Sequence, residues 1–376
     1  MLHVKIMDTR LEEQENKIGP DLVILRGSDR SAPAFEIDGA DADELQSQTC
    51  FSQCVALLET EWNSRMDPLQ STSSSVKSLF SDDDKEVRKT CQRISKYVAE
   101  VEYRQHLRFC FLVFVYRTTA RFLIFDRDEG IKSDSFDYVE NPRLLLTFFY
   151  RLAMADDEGR GRDPTVTTPQ AGSVAKLRES LKVLDSAVPP FCKTIRDQIR
   201  DCLDPDIGLQ DSNWQLKEML LFDDLSASTS DPGSNTVPEF RFLVAKPQTS
   251  APSLFGRATK GYIAFDIATG RFVFLKDSWR SENQTPEYQT HKGLQDASVP
   301  YIATLLHGGD LRSELNGEKQ KTRTSVVLVK RPRIHTRLVS KEIGEPLSKA
   351  RKSKDLTAGL GKAVIGNRLS CFAFFR

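Results

Sequence analysis

Two short apolar runs separated by a polar turn lie between Gly261 and Arg280, in GYIAFDIATGRFVFLKDSWR. This pattern predicts two strands, Gly261–Asp266 and Arg271–Asp277, joined by a short Ala-Thr-Gly turn. On the second strand Lys276 shares a face with two phenylalanines, because side chains two positions apart on a strand point the same way. An unpaired ammonium group is costly to bury, so a lysine at the end of an apolar strand face is unusual.

Other stretches have apolar residues at every third or fourth position, which is typical of amphipathic helices. The predicted helices are Glu44–Trp62, Lys85–Leu107, Asn141–Met154, one or two within Ser173–Leu203, Thr285–Gln295 and Ser348–Ile365. Short apolar runs bounded by turn residues predict strands. The further predicted strands are Asp21–Leu25, a hairpin within residues 108–130 with its turn at Arg117–Ala120, Phe240–Lys246, Tyr301–His307, Ser325–Lys330 and Arg337–Ile343.

Residues 226–237 lie within SASTSDPGSNTVP, a polar stretch rich in serine and proline that predicts a linker between domains. A chain of 376 residues is long enough for two domains. We therefore expect an α+β protein with a mixed helix-and-sheet domain at residues 1–225. Residues 238–376 should form an antiparallel sheet of five strands, with one helix between the third and the fourth. A Ser- and Asp-rich stretch, Ser71–Asp84, predicts a loop.

The charge balance serves only to exclude classes of binding partner, because 53 basic residues match 53 acidic ones. No bulk attraction to nucleic acid or to a membrane follows, and the longest apolar run, Phe109–Tyr116, is too short to span a bilayer. The basic stretch Lys319–Arg337 has no interleaved aromatic residues, so we expect a solvated loop and strand edge rather than a nucleic-acid site. Seven cysteines without metal-site spacing, and no signal-like beginning, predict an intracellular protein, cytoplasmic or nuclear, with reduced thiols.

Several phrases of the chain resemble the fungal-type protein kinases, a divergent family of filamentous and mushroom-forming fungi. They occur in the family's order, from residue 21 to about residue 364. The phrases are ARFLIFDRDEG and the helix after it (residues 120–153), GRGRDPTV (159–166), SLFGRATKGYIAFD (253–266), FVFLKDSWR (272–280) and HTRLVSKEIGEPL (335–347).

The resemblance implies a kinase-like amino-terminal lobe at residues 238–376 and an ATP-dependent phosphotransferase acting on protein Ser/Thr. Gly256 and Gly261 would shape the loop over the phosphates of ATP, and Lys276 would contact the α- and β-phosphates. Glu287 would pair with Lys276. The backbone groups that the resemblance assigns to the adenine are those of Lys341, Glu342 and Ile343.

The sequence departs from the family in its last part. A kinase uses an H-R-D loop to orient the substrate hydroxyl, and an Asn and a D-F-G Asp to hold magnesium. Neither motif occurs here; the last histidine is His335, and the chain ends in NRLSCFAFFR. We expect a truncated, catalytically incomplete protein that would use Mg²⁺ only together with the absent carboxy-terminal lobe. The alternative is a pseudokinase fragment that acts as a binding or scaffold protein, with a protein partner or self-association through the exposed lobe face.

The candidate site residues Lys276 and Glu287 also have simpler structural interpretations. Lys276 could be a solvated strand-end lysine, and Glu287 could be a surface glutamate like its neighbour Glu282.

A rival enzymatic reading is a metal-dependent nuclease-like fold, because Gly-Pro-Asp at residues 19–21 precedes a strand and further carboxylates. Such a site needs a lysine two residues after its second carboxylate. Glu59 is followed by Glu61 instead, so we expect no nuclease activity.

Overall fold

A computed structural model gives the structure of the chain. It describes residues 2–6, 22–26, 54–62, 69, 85–187, 193–205, 214–226, 237–250, 253–313, 317–344 and 352–374. The predicted loop Ser71–Asp84 and residues 227–236 of the predicted linker lie outside the described residues.

The described residues form two sheets and a set of helices, and the predicted α+β class is confirmed. The strands are β1 (Leu2–Ile6), β2 (Leu22–Arg26), β3 (Cys54–Glu61), β4 (Phe109–Tyr116), β5 (Thr119–Asp126), β6 (Gly130–Lys132), β7 (Phe136–Asp137), β8 (Val166–Thr167), β9 (Lys217–Phe222), β10 (Glu239–Val244), β11 (Thr249–Ser250), β12 (Lys260–Asp266), β13 (Arg271–Ser281), β14 (Leu305–Asp310) and β15 (Arg333–Ser340). The helices are α1 (Lys85–Arg104), α2 (Pro142–Met154), α3 (Ala171–Ala187), α4 (Lys193–Leu203), α5 (Glu287–Asp296), α6 (Thr324–Val327) and α7 (Ser353–Phe374).

The chain divides into two compact units at positions that differ from the predicted boundary. The first unit comprises residues 1–164, 252–258 and 322–333, and the second comprises the rest. The strands on either side of the expected linker at 226–237, β9 and β10, pair antiparallel along their whole lengths and belong to the second unit. A polar, proline-containing stretch is compatible with a connection between neighbouring strands as well as with a domain linker, and composition alone does not distinguish the two.

In the first unit the strands form a sheet in the order β1-β2-β3-β4-β5-β6, with β7 on β5. Its strands pair antiparallel except for β3 and β4, which are parallel and therefore need a crossover. Helix α1 supplies that crossover and buries Ile94, Val98 and Val101 against the sheet. Strand β4 is buried on both faces between β3 and β5, as its continuous apolar run indicates.

Two element predictions in this unit are wrong. The predicted helix Glu44–Trp62 contains strand β3, whose buried run CVALLETE lacks a clear period and is ambiguous between helix and strand. The predicted strand Ser325–Lys330 is the short helix α6 and a turn. The Asp126 carboxylate, distant in sequence, accepts hydrogen bonds at 2.7–2.8 Å from the backbone N–H groups of Arg323 and Thr324. This cap at the helix start overrides the strand preference of the valines that follow.

In the second unit the sheet order is β14-β15-β13-β12-β10-β9-β8, with β11 on β12. Its strands β10, β12, β13, β14 and β15 overlap five of the strands predicted after residue 238, and α5 lies between β13 and β14 as predicted. Strands β8 and β9, which precede the predicted boundary, extend the same sheet.

The two faces of this sheet are packed differently. On the face that carries Lys276, Gly261 lies opposite Lys276 and Ile263 lies opposite Phe274. Helices α3 and α4 cover the far end of this face through an apolar cluster that includes Leu181 and Ile199. The other face of the sheet is buried in a second cluster made mainly of strand residues.

Candidate functional site

Lys276 and Glu287 form a two-pronged ion pair in the second unit. The Lys276 Nζ lies 2.6 Å from Glu287 Oε1 and 2.7 Å from Oε2. Lys276 projects from β13 with 22% of its side chain exposed, and Glu287, the first residue of α5, is 40% exposed. The glutamate also benefits from the partial positive charge at a helix N-terminus. A partly buried lysine is thus fixed in direction while part of its side chain remains exposed to solvent.

The turn before Lys276 sets the register that places it there. The Asp266 carboxylate accepts hydrogen bonds from the N–H groups of Ala268 and Thr269 and from the Thr269 hydroxyl. Gly270 closes the turn with a positive φ of 69°, which favours glycine. This locally determined turn explains why the hairpin was readable from the sequence.

Gly261 is required by packing. A Cβ atom at this position would lie 2.5 Å from Thr249 Oγ1 and 2.6 Å from the Phe274 ring. The Phe274 ring therefore occupies the space beside Lys276 that a side chain at position 261 would fill. Its predicted part in a loop over phosphates stays a prediction.

Gly256 belongs to the first unit. Its φ is 94°, a conformation that favours glycine, and its N–H donates to the Arg127 carbonyl at 2.8 Å. Leu254, two residues earlier, lies in the apolar core of the same unit. The predicted role of Gly256 at the phosphates is a prediction that this local geometry leaves open.

The predicted adenine-binding segment, residues 341–343, follows β15 directly. The Lys341 N–H donates to the Thr304 carbonyl at 2.9 Å. The Glu342 carboxylate accepts the Thr304 N–H at 2.6 Å and its hydroxyl at 2.8 Å. Partial burial acts to raise the pKa of Glu342, but these hydrogen bonds outweigh it and lower the pKa. Ile343 packs against the apolar cluster under α3 and α4, so the segment is held at both ends.

Sequence reasoning missed an acidic pair, Asp223 and Asp224, that follows β9 and contacts α5 and β14. The Asp224 Oδ2 accepts the Tyr288 hydroxyl at 2.9 Å, and Asp223 Oδ1 accepts the Gly308 N–H at 3.1 Å. The one sequence signal was two adjacent acids directly after the apolar strand MLLF. Their partner Tyr288 lies 64 residues away from Asp224, a separation that no local pattern reveals.

A buried polar network lies directly behind the lysine. Asp277, whose side chain points to the other face of β13, contacts His335 Nε2 at 2.8 Å and accepts a bond from Arg337 Nε at 2.8 Å. The His335 ring stacks on Trp279 with centroids 4.4 Å apart. These groups are almost fully buried, so we assign them to holding β13 and β15 together.

The two carboxylates of the nuclease-like reading form ion pairs with a single arginine. Arg93 lies 2.5 Å from the Glu59 carboxylate and 3.2 Å from that of Glu61. Within the described parts of the chain, no cluster of three or more His, Cys, Asp or Glu side chains could hold a metal ion. Among the described helices, none has the length and apolar content that crossing a membrane requires.

Comparison with known proteins gives one match. A family model described as "Fungal protein kinase" matches residues 59–187 and 217–370, most of the chain and parts of both units. No curated protein matches, and no solved structure matches. The matched regions include the Lys276–Glu287 pair and the segment after β15. The chain therefore belongs to the fungal protein kinase family.

Proposed function

We propose that the second unit binds ATP, with Lys276 on the α- and β-phosphates and Glu287 holding the lysine, in the manner of a Ser/Thr protein kinase lobe. The observation that carries the proposal is the ion pair, closed at 2.6 Å and 2.7 Å. Family membership supports it, because kinases of this type need a strand lysine and a helix glutamate in place together.

The charges suit this role. Phosphate oxygens are strong hydrogen-bond acceptors, and a lysine offers three donors on a compact positive charge. Glu287 engages part of that donor capacity and keeps the side chain extended, while the exposed part of Lys276 faces the ligand. ATP would supply the phosphoryl group, and this chain's residues would bind and orient it.

For the base, we assign the contacts to the backbone after β15. Because the Lys341 N–H is already bonded to Thr304, we assign the donor to adenine to the Ile343 N–H. The Glu342–Thr304 hydrogen bonds would hold this segment in position when the base binds.

A nucleotide-binding protein without transferase activity, a pseudokinase, is the second candidate. It is favoured because the Lys276–Glu287 pair serves nucleotide binding, whereas transfer also needs the base and the Mg²⁺ ligands that the H-R-D and D-F-G motifs of a kinase supply. Transfer of the γ-phosphoryl group of ATP to protein, measured with Mg²⁺ present, separates the two candidates.

The test of nucleotide binding is the melting temperature of the full chain with and without ATP. A ligand that binds only the folded protein raises it by mass action. We expect a rise for the wild type and for Lys292→Ala, and none for Lys276→Ala. Lys292 is a matched control because it also pairs with a carboxylate on α5, that of Asp296, but is exposed. An equal rise in Lys276→Ala, or no rise in folded wild-type protein, would overturn the proposal.

A further inference from the structure

The first turn of α5 is seated on β14 by one aromatic side chain. Tyr288 directly follows Glu287 and is only 2% exposed. Its Cβ lies so close to Gly308 that an added Cβ there would be 2.3 Å away. Its hydroxyl donates to Asp224 Oδ2 at 2.9 Å. Any movement of this tyrosine therefore moves the residue that pairs with Lys276.

The acceptor of that hydrogen bond is itself fixed. Asp224 also accepts the Asp310 N–H at 3.0 Å and a bond from Arg312 Nη2 at 2.9 Å. The strand before it approaches β14 so closely that a Cβ on Gly309 would lie 1.9 Å from the Phe222 carbonyl oxygen. The end of β9 thus lies against β14, although the two strands are far apart in the sheet order.

Asp223 also holds the end of β9 against β14. Its carboxylate accepts the Gly308 N–H at 3.1 Å and the Ser226 hydroxyl at 2.7 Å, and it contacts His307 Nδ1 at 3.1 Å. Asp223 therefore binds β14, whereas Asp224 binds both β14 and α5.

We propose that Asp224 and Tyr288 are positioning residues, a latch that holds the first turn of α5 so that Glu287 reaches Lys276. The consequence for nucleotide binding rests on the proposed function, whereas the effect on the ion pair does not. Burial and the nearby carboxylates of Asp310 and Asp224 raise the pKa of Tyr288, so the phenol stays protonated and remains the donor.

The latch controls the first turn rather than the whole helix. The later turns of α5 have their own attachments, from His291 Nε2 to the Ala303 carbonyl at 2.7 Å and from the Leu305 N–H to Gln295 Oε1 at 2.8 Å. At the helix start, Pro286 provides no side-chain cap. Loss of the latch should thus loosen Glu287 while the helix remains attached.

The test is zero-length carbodiimide coupling of the full chain without nucleotide, with the amide products quantified by mass spectrometry. Coupling between Lys276 and Glu287 reports their contact. The pairs Lys292–Asp296, within α5, and Lys321–Glu282, at 2.8 Å, serve as internal references. The variants are Tyr288→Phe and Asp224→Leu, which has no acceptor, and Tyr301→Phe, at an exposed phenol, is the matched control.

We expect Lys276–Glu287 coupling, relative to both references, to fall about tenfold or more in Tyr288→Phe and in Asp224→Leu, as for one lost hydrogen bond to a charged group. The control should couple like the wild type. Unchanged relative coupling in both variants would overturn the latch. If Tyr288→Phe fails to fold, Asp224→Leu, which keeps the branched shape of the side chain, decides alone. A missing ATP effect in the wild type would refute the proposed function and leave this result unaffected.

Discussion

Removing the Arg337 guanidinium should cost the second unit a large part of its stability. The side chain is fully buried. It donates to Asp277 Oδ1 at 2.8 Å, to Thr165 Oγ1 at 2.9 Å and to the Leu220 carbonyl at 2.6 Å. It therefore connects β15 with β13, β9 and the residue before β8. The substitution Arg337→Met keeps a long flexible side chain but removes every one of these donors.

The magnitude follows from what the substitution leaves behind. Asp277 would remain buried with one cation fewer, and breaking a buried pair from one side costs about 3–5 kcal/mol. Domains are commonly stable by only about 5–15 kcal/mol, so the loss is a large fraction of the total. Replacing both partners, Arg337→Met with Asp277→Leu, should cost less than Arg337→Met alone, because no unpaired carboxylate is then buried.

Urea denaturation of the wild type, both single variants and the double variant measures the free energy of unfolding and its coupling. A comparison is Lys321→Met, since Lys321 pairs with Glu282 at 2.8 Å but the two side chains are 47% and 39% exposed. We expect a change below about 1 kcal/mol there. A loss of less than about 1 kcal/mol in Arg337→Met, or a double variant no more stable than that single variant, would refute this account of the buried pair.

Further predictions concern the site, its acids and its partners. Glu287→Gln should abolish most of the ATP-induced rise in melting temperature while changing stability by less than about 1 kcal/mol, because the pair is partly exposed. Hydrogen bonds from His307, Ser226 and Gly308 outweigh the opposing effect of burial and lower the pKa of Asp223 below its ordinary value of 3.8. Its contribution is thus present above about pH 4 and lost as the pH falls through the lowered pKa; urea midpoints should fall more steeply below pH 4 in the wild type than in Asp223→Asn. Gly308→Ala should displace Tyr288 and reduce Lys276–Glu287 coupling. Unchanged coupling would contradict the close packing of Tyr288 against Gly308. Self-association, expected from the sequence, should appear as a concentration-dependent mass in sedimentation.

The hairpin of β12 and β13 could be predicted from sequence because its determinants are local. The two apolar runs of the hairpin and the Asp266 turn lie within a few residues of each other. Helix α5 was also readable, with Glu287 as its first residue, and the ion pair followed from the family resemblance rather than from any pattern.

The elements that sequence reasoning got wrong depend on distant residues or on burial. Helix α6 begins where it does because Asp126 caps it from 198 residues away. Strand β3 is buried on both faces, which removes the alternation that identifies a strand. The Asp224–Tyr288 contact joins two segments whose separation hides it from any periodicity. Spacing along the chain encodes neighbours within an element, and it does not encode which elements fold against each other.

The latch formed by Asp224 and Tyr288 includes a residue that lies before the lobe expected from the sequence. The lobe expected from the sequence begins at residue 238, after both acids that hold α5 and after strands β8 and β9. A fragment that begins there would keep Lys276 and Glu287 but lose Asp224. It would also leave the edge of β10 unpaired, and an unpaired strand edge promotes aggregation. The ion pair can therefore be formed by residues of the expected lobe alone, whereas its fixed geometry depends on residues 217–226. For the second unit, the part of the chain that positions the site is larger than the part that carries it.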